Sequence, residues 1–261
     1  MNSDSTNEWM QLAEMSSNDW DLLRSGLEAC APRRILEIGV SAGATTLFLL
    51  DALPKSARLY SVDIERHWYV DNTKETGFVA SVAHDAQRHP QWDLMTGTDV
   101  SACLDMIGKD IDFVVLDTTH EMPGEFLSFL AVLPYMAQNA VLFLHDIGIH
   151  VIAKSGLLPN DMHLKSHCTS LLFSAISSVD KRVSNDALPN AGLVFIDKQK
   201  AMDEIYMVMN LLFMDWNYLP PAAVIAKTLR MVKMHYPPRA VDMFEHALAY
   251  NMAKLGVDIP A

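Results

Sequence analysis

The sequence predicts a doubly wound α/β fold built on a mostly parallel sheet, and three observations carry that expectation. Five strand-like segments alternate with helical ones between Arg34 and Asp146. Two of them, Ile111–Leu116 (IDFVVL, apolar but for Asp112) and residues 140–144 (AVLFL), are near-continuous apolar runs, the pattern of strands covered on both faces. The polar residues Glu37, Asp63, Asp117, His145 and Asp146 stand at the ends of these segments. In open α/β sheets ligands bind outside the carboxyl ends of the strands, so these residues are expected on one rim.

In chain order, residues 1–31 carry Trp9, Leu12, Trp20, Leu23 and Leu27 mostly three or four apart, which predicts short amphipathic helices. Arg34–Ile38 is the first strand, followed by a glycine loop and a helix over 44–53 that Pro54 stops. Arg58–Asp63 (RLYSVD) is the second strand, and 71–86 is expected to be helical. A short third strand over 93–96 precedes Gly97-Thr98-Asp99 and a helix ending at Ile107. Ile111–Leu116, a helix over 124–137 and the strand at 140–144 complete the alternation, with right-handed crossovers between parallel neighbours. Beyond Asp146 the pattern lapses. Residues 148–167 read as a lid-like loop, 169–179 as a helix and 192–196 (GLVFI) as a closing strand. From Ala201 the chain is helical and methionine-rich, breaks at Pro220-Pro221 and Pro237-Pro238, and ends in a helix over 239–255. The division this implies is a helical segment 1–31, a core domain 32–199 with a lid or insertion at 148–190, and a helical accessory segment 200–261.

Composition narrows the function. A chain of 261 residues, half of them apolar, can bury a large core. A formal net charge of −12 disfavours nucleic acid and anionic membranes as partners. The start, MNSDSTNEWMQL, lacks a basic region followed by an apolar run, so no secretory signal is expected. The most lipid-like stretch, 205–226, contains Asn210, Asp215, Asn217 and Pro220-Pro221 and is too polar to span a bilayer. Cys30, Cys103 and Cys168 lie far apart without metal spacing, which points to a reduced, cytoplasmic protein. His150, His163 and His167 match no standard zinc spacing and are expected in a solvated loop. The methionines after Ala201 suit core or subunit packing, and a homo-oligomer is expected.

The stretch RILEIGVSAGATTL admits two incompatible readings. Gly39-Val-Ser41-Ala-Gly43 has the form of a nucleophile elbow, which needs an oxyanion-hole loop from an earlier strand. The residues before the strand that ends at Ile38 are predicted helical and leave no room for an earlier strand. A dinucleotide fingerprint fails as well, because Ser41 holds its second glycine position. The order Glu37-Ile-Gly39-Val-Ser-Ala-Gly43 resembles motif I of class I methyltransferases that use S-adenosylmethionine (SAM). The resemblance implies a Rossmann-like methyltransferase sheet, and Asp63 stands where that family has the acid that binds the ribose diol. It places SAM contacts at Glu37, Gly39, Ser41, Gly43, Thr45, Asp63, Ile64, Gly97, Thr98 and Asp99.

The run Leu116-Asp117-Thr118-Thr119-His120, with Leu144-His145-Asp146 at the next strand end, is similar to the branch of macrolide-sugar O-methyltransferases and cephalosporin-hydroxylase-like proteins. That resemblance implies catalytic roles for Asp117 and for His120 as general base, and a divalent metal (Mg, Mn or Fe) at Asp117, His145 and Asp146. His145 departs from the carboxylate of the metal-dependent members, and imidazole suits softer ions than Mg. The implied activity is O-methylation of a small polyhydroxyl or sugar-like acceptor, as in natural-product or polysaccharide modification. The alternative is a SAM-fold binding or scaffold protein, or a hydroxylase-like relative, without methyl transfer.

Overall fold

The computed structural model describes residue 9 and residues 11–85, 89–156, 166–178 and 180–257. Its strands are β1 (Arg34–Ile38), β2 (Arg58–Asp63), β3 (Gln91–Thr96), β4 (Ile111–Leu116), β5 (Met136–His145), β6 (Lys181–Val183) and β7 (Ala191–Asp197). Among the described residues they form one seven-stranded sheet in the order β3-β2-β1-β4-β5-β7-β6. Strands β1 to β5 are parallel, whereas β7 runs antiparallel to β5 and β6 antiparallel to β7. The chain builds outward from β1 to β3, then crosses back to begin again at β4. The strand order therefore reverses between β1 and β4, and a crevice opens at their carboxyl ends.

The helices are α1 (Ser17–Cys30), α2 (Ala44–Ala52), α3 (Phe78–Ala83), α4 (Leu104–Ile107), α5 (Gly124–Val132), α6 (Ile149–Lys154), α7 (Cys168–Ala175), α8 (Lys198–Asp203), α9 (Tyr206–Leu211), α10 (Ala222–His235) and α11 (Pro238–Leu255). They cover the sheet on two sides. Ile35, Phe113, Val115 and Phe143 face a core completed by Leu23 and Leu27 of α1 and Leu49 and Leu50 of α2. Leu36, Val114, Leu116 and Leu142 face the other, with Phe126 and Leu130 of α5, Val232 of α10, and Phe244 and Leu248 of α11. Successive residues on β1 and β4 thus enter different cores, which is why those strands show no polar alternation.

Several expected boundaries shift. Among the described residues of 71–86, only Phe78–Ala83 is helical. Asp71 instead accepts hydrogen bonds from the Thr73 N–H (3.1 Å) and hydroxyl (2.6 Å), a local turn that competes with helix formation. The helix expected over 124–137 stops at Val132, where Leu133-Pro134-Tyr135 form a 3-10 turn and β5 begins at Met136. Helix formation after Asp99 is likewise split into a 3-10 turn at Val100–Ala102 and the short α4. The loop expected over 148–167 carries α6, and 157–165, with His163, lie outside the described residues. Strand β6 escaped sequence reading because it is three residues long and two of them are cationic.

Glu37 shows what the sheet does to a polar strand residue. Its carboxylate is fully buried and accepts from the hydroxyls of Ser61 (2.5 Å) and Thr46 (2.7 Å), while Ser61 accepts from Trp92 Nε1 (3.0 Å). Burial pushes its pKa from 4.5 up to about 8, against the two hydroxyl bonds that lower it. A raised pKa means the folded chain keeps a proton that the unfolded chain releases. The stabilising effect is complete below 4.5 and is lost as pH rises through about 8. Glu37→Gln should therefore match the wild type in acid and exceed it in alkali by on the order of a few kcal/mol. Urea denaturation of both proteins across this range checks the claim; a gap that does not change with pH refutes it.

Candidate active site

Loops leaving β1 to β5 converge on a cleft of about 590 Å³. From the β1–α2 loop come Gly39 and Ser41, from the first turn of α2 Thr45, from the end of β2 Asp63 and the following Ile64, and after β3 Thr98 and Asp99. The β4 loop brings Asp117 to His120, and β5 brings His145 and Asp146. Gly39 has φ +89°, and a Cβ there would lie 1.6 Å from the Asp117 carbonyl oxygen. Its glycine is thus demanded by the close approach of the β1 and β4 loops. Asp63 fastens the same loop from the other side. One carboxylate oxygen accepts from the N–H groups of Val40 (2.8 Å) and Ser41 (3.1 Å), and the other from Glu65 (2.8 Å). Each oxygen keeps accepting capacity toward the cleft. Three of the expected cofactor contacts do not line it. Glu37 is turned between β2 and α2, Gly43 faces the backbone of Gly77, and Gly97 faces the Arg66 side chain.

Across the cleft, Asp117, His120 and Asp146 each offer a ligand atom, all within 4.8 Å of one another. His120 Nε2 lies 2.9 Å from Asp146 and 3.6 Å from Asp117. Its Nδ1 is 3.3 Å from both Glu125 and the Thr169 hydroxyl. His120 and Asp146 adopt left-handed backbone conformations (φ 57° and 61°) that disfavour L-residues and persist only where surroundings enforce them. Here Glu125, fully buried in the first turn of α5, accepts from the His120 N–H (2.6 Å) and the Thr118 hydroxyl (3.1 Å). Asn190, just before β7, donates to Asp146 (2.5 Å).

His145, expected as a metal ligand, falls outside that set of three, and His120, expected only as the base, falls within it. His145 ends β5 almost wholly buried, 3.3 Å from Asp117 and 3.7 Å from Asp146, and neither of its ring nitrogens makes a hydrogen bond. Burial opposes charging of both imidazoles, but the carboxylates win. Asp117 and Asp146 hold His145 up at about 9, and Asp146 and Glu125 hold His120 well above its ordinary value. Asp146 in turn is driven far down by the two histidines, against its own desolvation. Both rings are thus held toward their charged form by the carboxylates beside them.

Sequence reading missed Glu125, Asn190, Thr169, Tyr69 and Tyr218. An acid five residues after His120 at the start of a helix is a readable signal for Glu125. Asn190 acts 44 residues from Asp146, and nothing local marks it. Tyr69, Tyr218 and Pro220-Pro221 close the rim of the cleft, as do Leu12 and Glu14.

Residues 36–147 match a family described as a methyltransferase domain. No curated protein matches the chain. Among solved structures, the O-methyltransferase TomG from Streptomyces achromogenes, in complex with SAM, is similar with TM-score 0.54 and 18% identity, covering 75% of this chain and 91% of that one. An O-methyltransferase from Bacillus cereus in complex with SAH (TM-score 0.54, 13% identity) covers 76% and 92%. A protein described as a putative caffeoyl-CoA O-methyltransferase from Staphylococcus aureus (TM-score 0.56, 11% identity) covers 75% and 93%. The shared feature is the fold, and the Rossmann-like sheet expected from sequence is the one observed. No helix among the described residues is long and apolar enough to cross a membrane.

Proposed function

From the premise that this chain carries a class I methyltransferase domain, we propose that it moves a methyl group from SAM to a hydroxyl of a small-molecule acceptor. The observation that carries the reading is the placement of Asp117, His120 and Asp146 in the same cleft as the glycine loop and Asp63. In the transfer, a bond forms between the acceptor oxygen and the methyl carbon. The carbon–sulfur bond breaks, and sulfur keeps the electron pair as a thioether. The hydroxyl proton leaves to His120 Nε2, provided that ring is neutral. Holding donor and acceptor in line supplies much of the acceleration, and proton removal by a placed base typically adds 10²–10⁴-fold.

The same residues fit a divalent ion. Two carboxylates and an imidazole within reach of one point suit Mn or Fe better than Mg. Bound there, an ion would lower the pKa of the acceptor hydroxyl. His120 Nε2 is the atom that both roles require, so it serves either as ligand or as base, not both at once.

Calorimetry tests the premise first. The wild type should bind SAM, and Asp63→Ala should weaken binding by roughly 1.5–3 kcal/mol, the scale of a hydrogen bond to a charged group. A melting scan of the variant separates this from loosening of the loop that Asp63 fastens. Ser41→Ala should leave transfer intact. No SAM binding by the folded wild type ends the reading.

A further inference from the structure

The walls of the cleft carry information about what it can admit. Six carboxylates line it, those of Glu14, Asp63, Glu65, Asp99, Asp117 and Asp146, and among the described residues no lysine or arginine does. Its cationic candidates are His67, His120 and His145, and the last two are already engaged by Asp117 and Asp146. The backbone offers an anion little more. The N–H groups of Val40 and Ser41, at the loop leading into α2, are both committed to Asp63. At the mouth, Tyr69 is 71% exposed, and Leu12 and Ile149 stand on the same lining.

We infer that the acceptor is a neutral or cationic hydroxyl compound with an apolar body, and that phosphates, carboxylates and CoA thioesters are rejected. The inference rests on the methyl-transfer reading and adds the charge class of the substrate. The physical ground is like-charge repulsion in a cleft whose low-dielectric walls weaken screening. A sulfonium donor is favoured by the same field, so donor and acceptor are selected by one sign. Specificity of this kind works through what is excluded. The surface as a whole, at net −12, adds to it.

Three probes that share a 1,2-dihydroxyphenyl ring separate charge from shape: dopamine (cationic), 4-methylcatechol (neutral) and 3,4-dihydroxyphenylacetate (anionic). Each is titrated into the full chain saturated with SAH, and methylation is then assayed with SAM. The anion should bind about tenfold or more weakly than the other two, with the gap narrowing at high salt and in Glu14→Gln. Equal or tighter binding of the anion overturns the inference. So does failure of all three to bind SAH-loaded protein, because a cleft with this lining has no reason to refuse the neutral and cationic members. Absence of SAM and SAH binding is a different failure: it removes the methyl-transfer reading, and this inference falls with it.

Discussion

Gly39→Ala should yield little folded protein, and what folds should not bind SAM. The added Cβ would sit 1.6 Å from the Asp117 carbonyl oxygen and 2.7 Å from its carbon, both backbone atoms that cannot swing aside. The loop cannot yield either. The Gly39 N–H donates to Val62 O (2.9 Å), and the Asp117 N–H donates to Ile38 O (2.9 Å), so strands β1, β2 and β4 are laced together at this point. A φ of +89° adds the ordinary cost of a left-handed L-residue, roughly 1–2 kcal/mol. Clash and strain together should cost about 4–5 kcal/mol or more, the range reserved for severe core disruption. Gly256→Ala provides the comparison, because its φ is +70° and nothing lies within 4 Å of the added atom. It should cost only the conformational share. Urea midpoints of the two variants measure the difference. If both lose the same amount, the β1–β4 approach is looser than its geometry implies.

The same crossing explains what could be read from sequence and what could not. Strands β1, β2 and β4 were bounded correctly because each is a short apolar run between turn residues, and burial on two faces leaves the pattern unmistakable. Asp63 and Asp117 line the cleft for a related reason: a charged residue that ends such a run must meet solvent or a ligand. Glu37 looks the same on paper. Lying one residue inside the strand end, it is turned toward Ser61 and Thr46 instead of the cleft, and residue type alone does not record that turn. That His120 joins Asp117 and Asp146 in one set has a similar cause. Both imidazoles reach the carboxylates, His145 from the end of β5 and His120 through left-handed backbone at His120 and Asp146, held by Glu125 and Asn190. Those are tertiary constraints, and two histidines with similar spacing to the same acids cannot be ranked without them.

His120→Ala should lower the methyl-transfer rate by roughly 10²–10⁴-fold while SAM affinity stays near that of the wild type. Retained affinity matters as a control, since the variant leaves buried Glu125 and Asp146 without their shared imidazole. Loss of SAM binding together with rate would make His120 a structural residue only. The pH profile distinguishes its two chemical roles. A base must be neutral to act, and the charges of Asp146 and Glu125 keep His120 protonated well above 6.5 against the pull of burial. In chelated enzyme the rate should therefore climb with pH above that value. Stability moves the other way: a histidine with a raised pKa stabilises the fold fully below 6.5, and that contribution is lost as pH rises through the raised value. If an ion occupies Asp117, His120 and Asp146 instead, it must displace the same proton, so its binding should strengthen with pH and chelation should abolish transfer. Full activity after exhaustive chelation, with the alkaline climb preserved, assigns Nε2 to the proton. Wild-type activity in His120→Ala would remove the base, and with it the reason to place a hydroxyl beside this cluster.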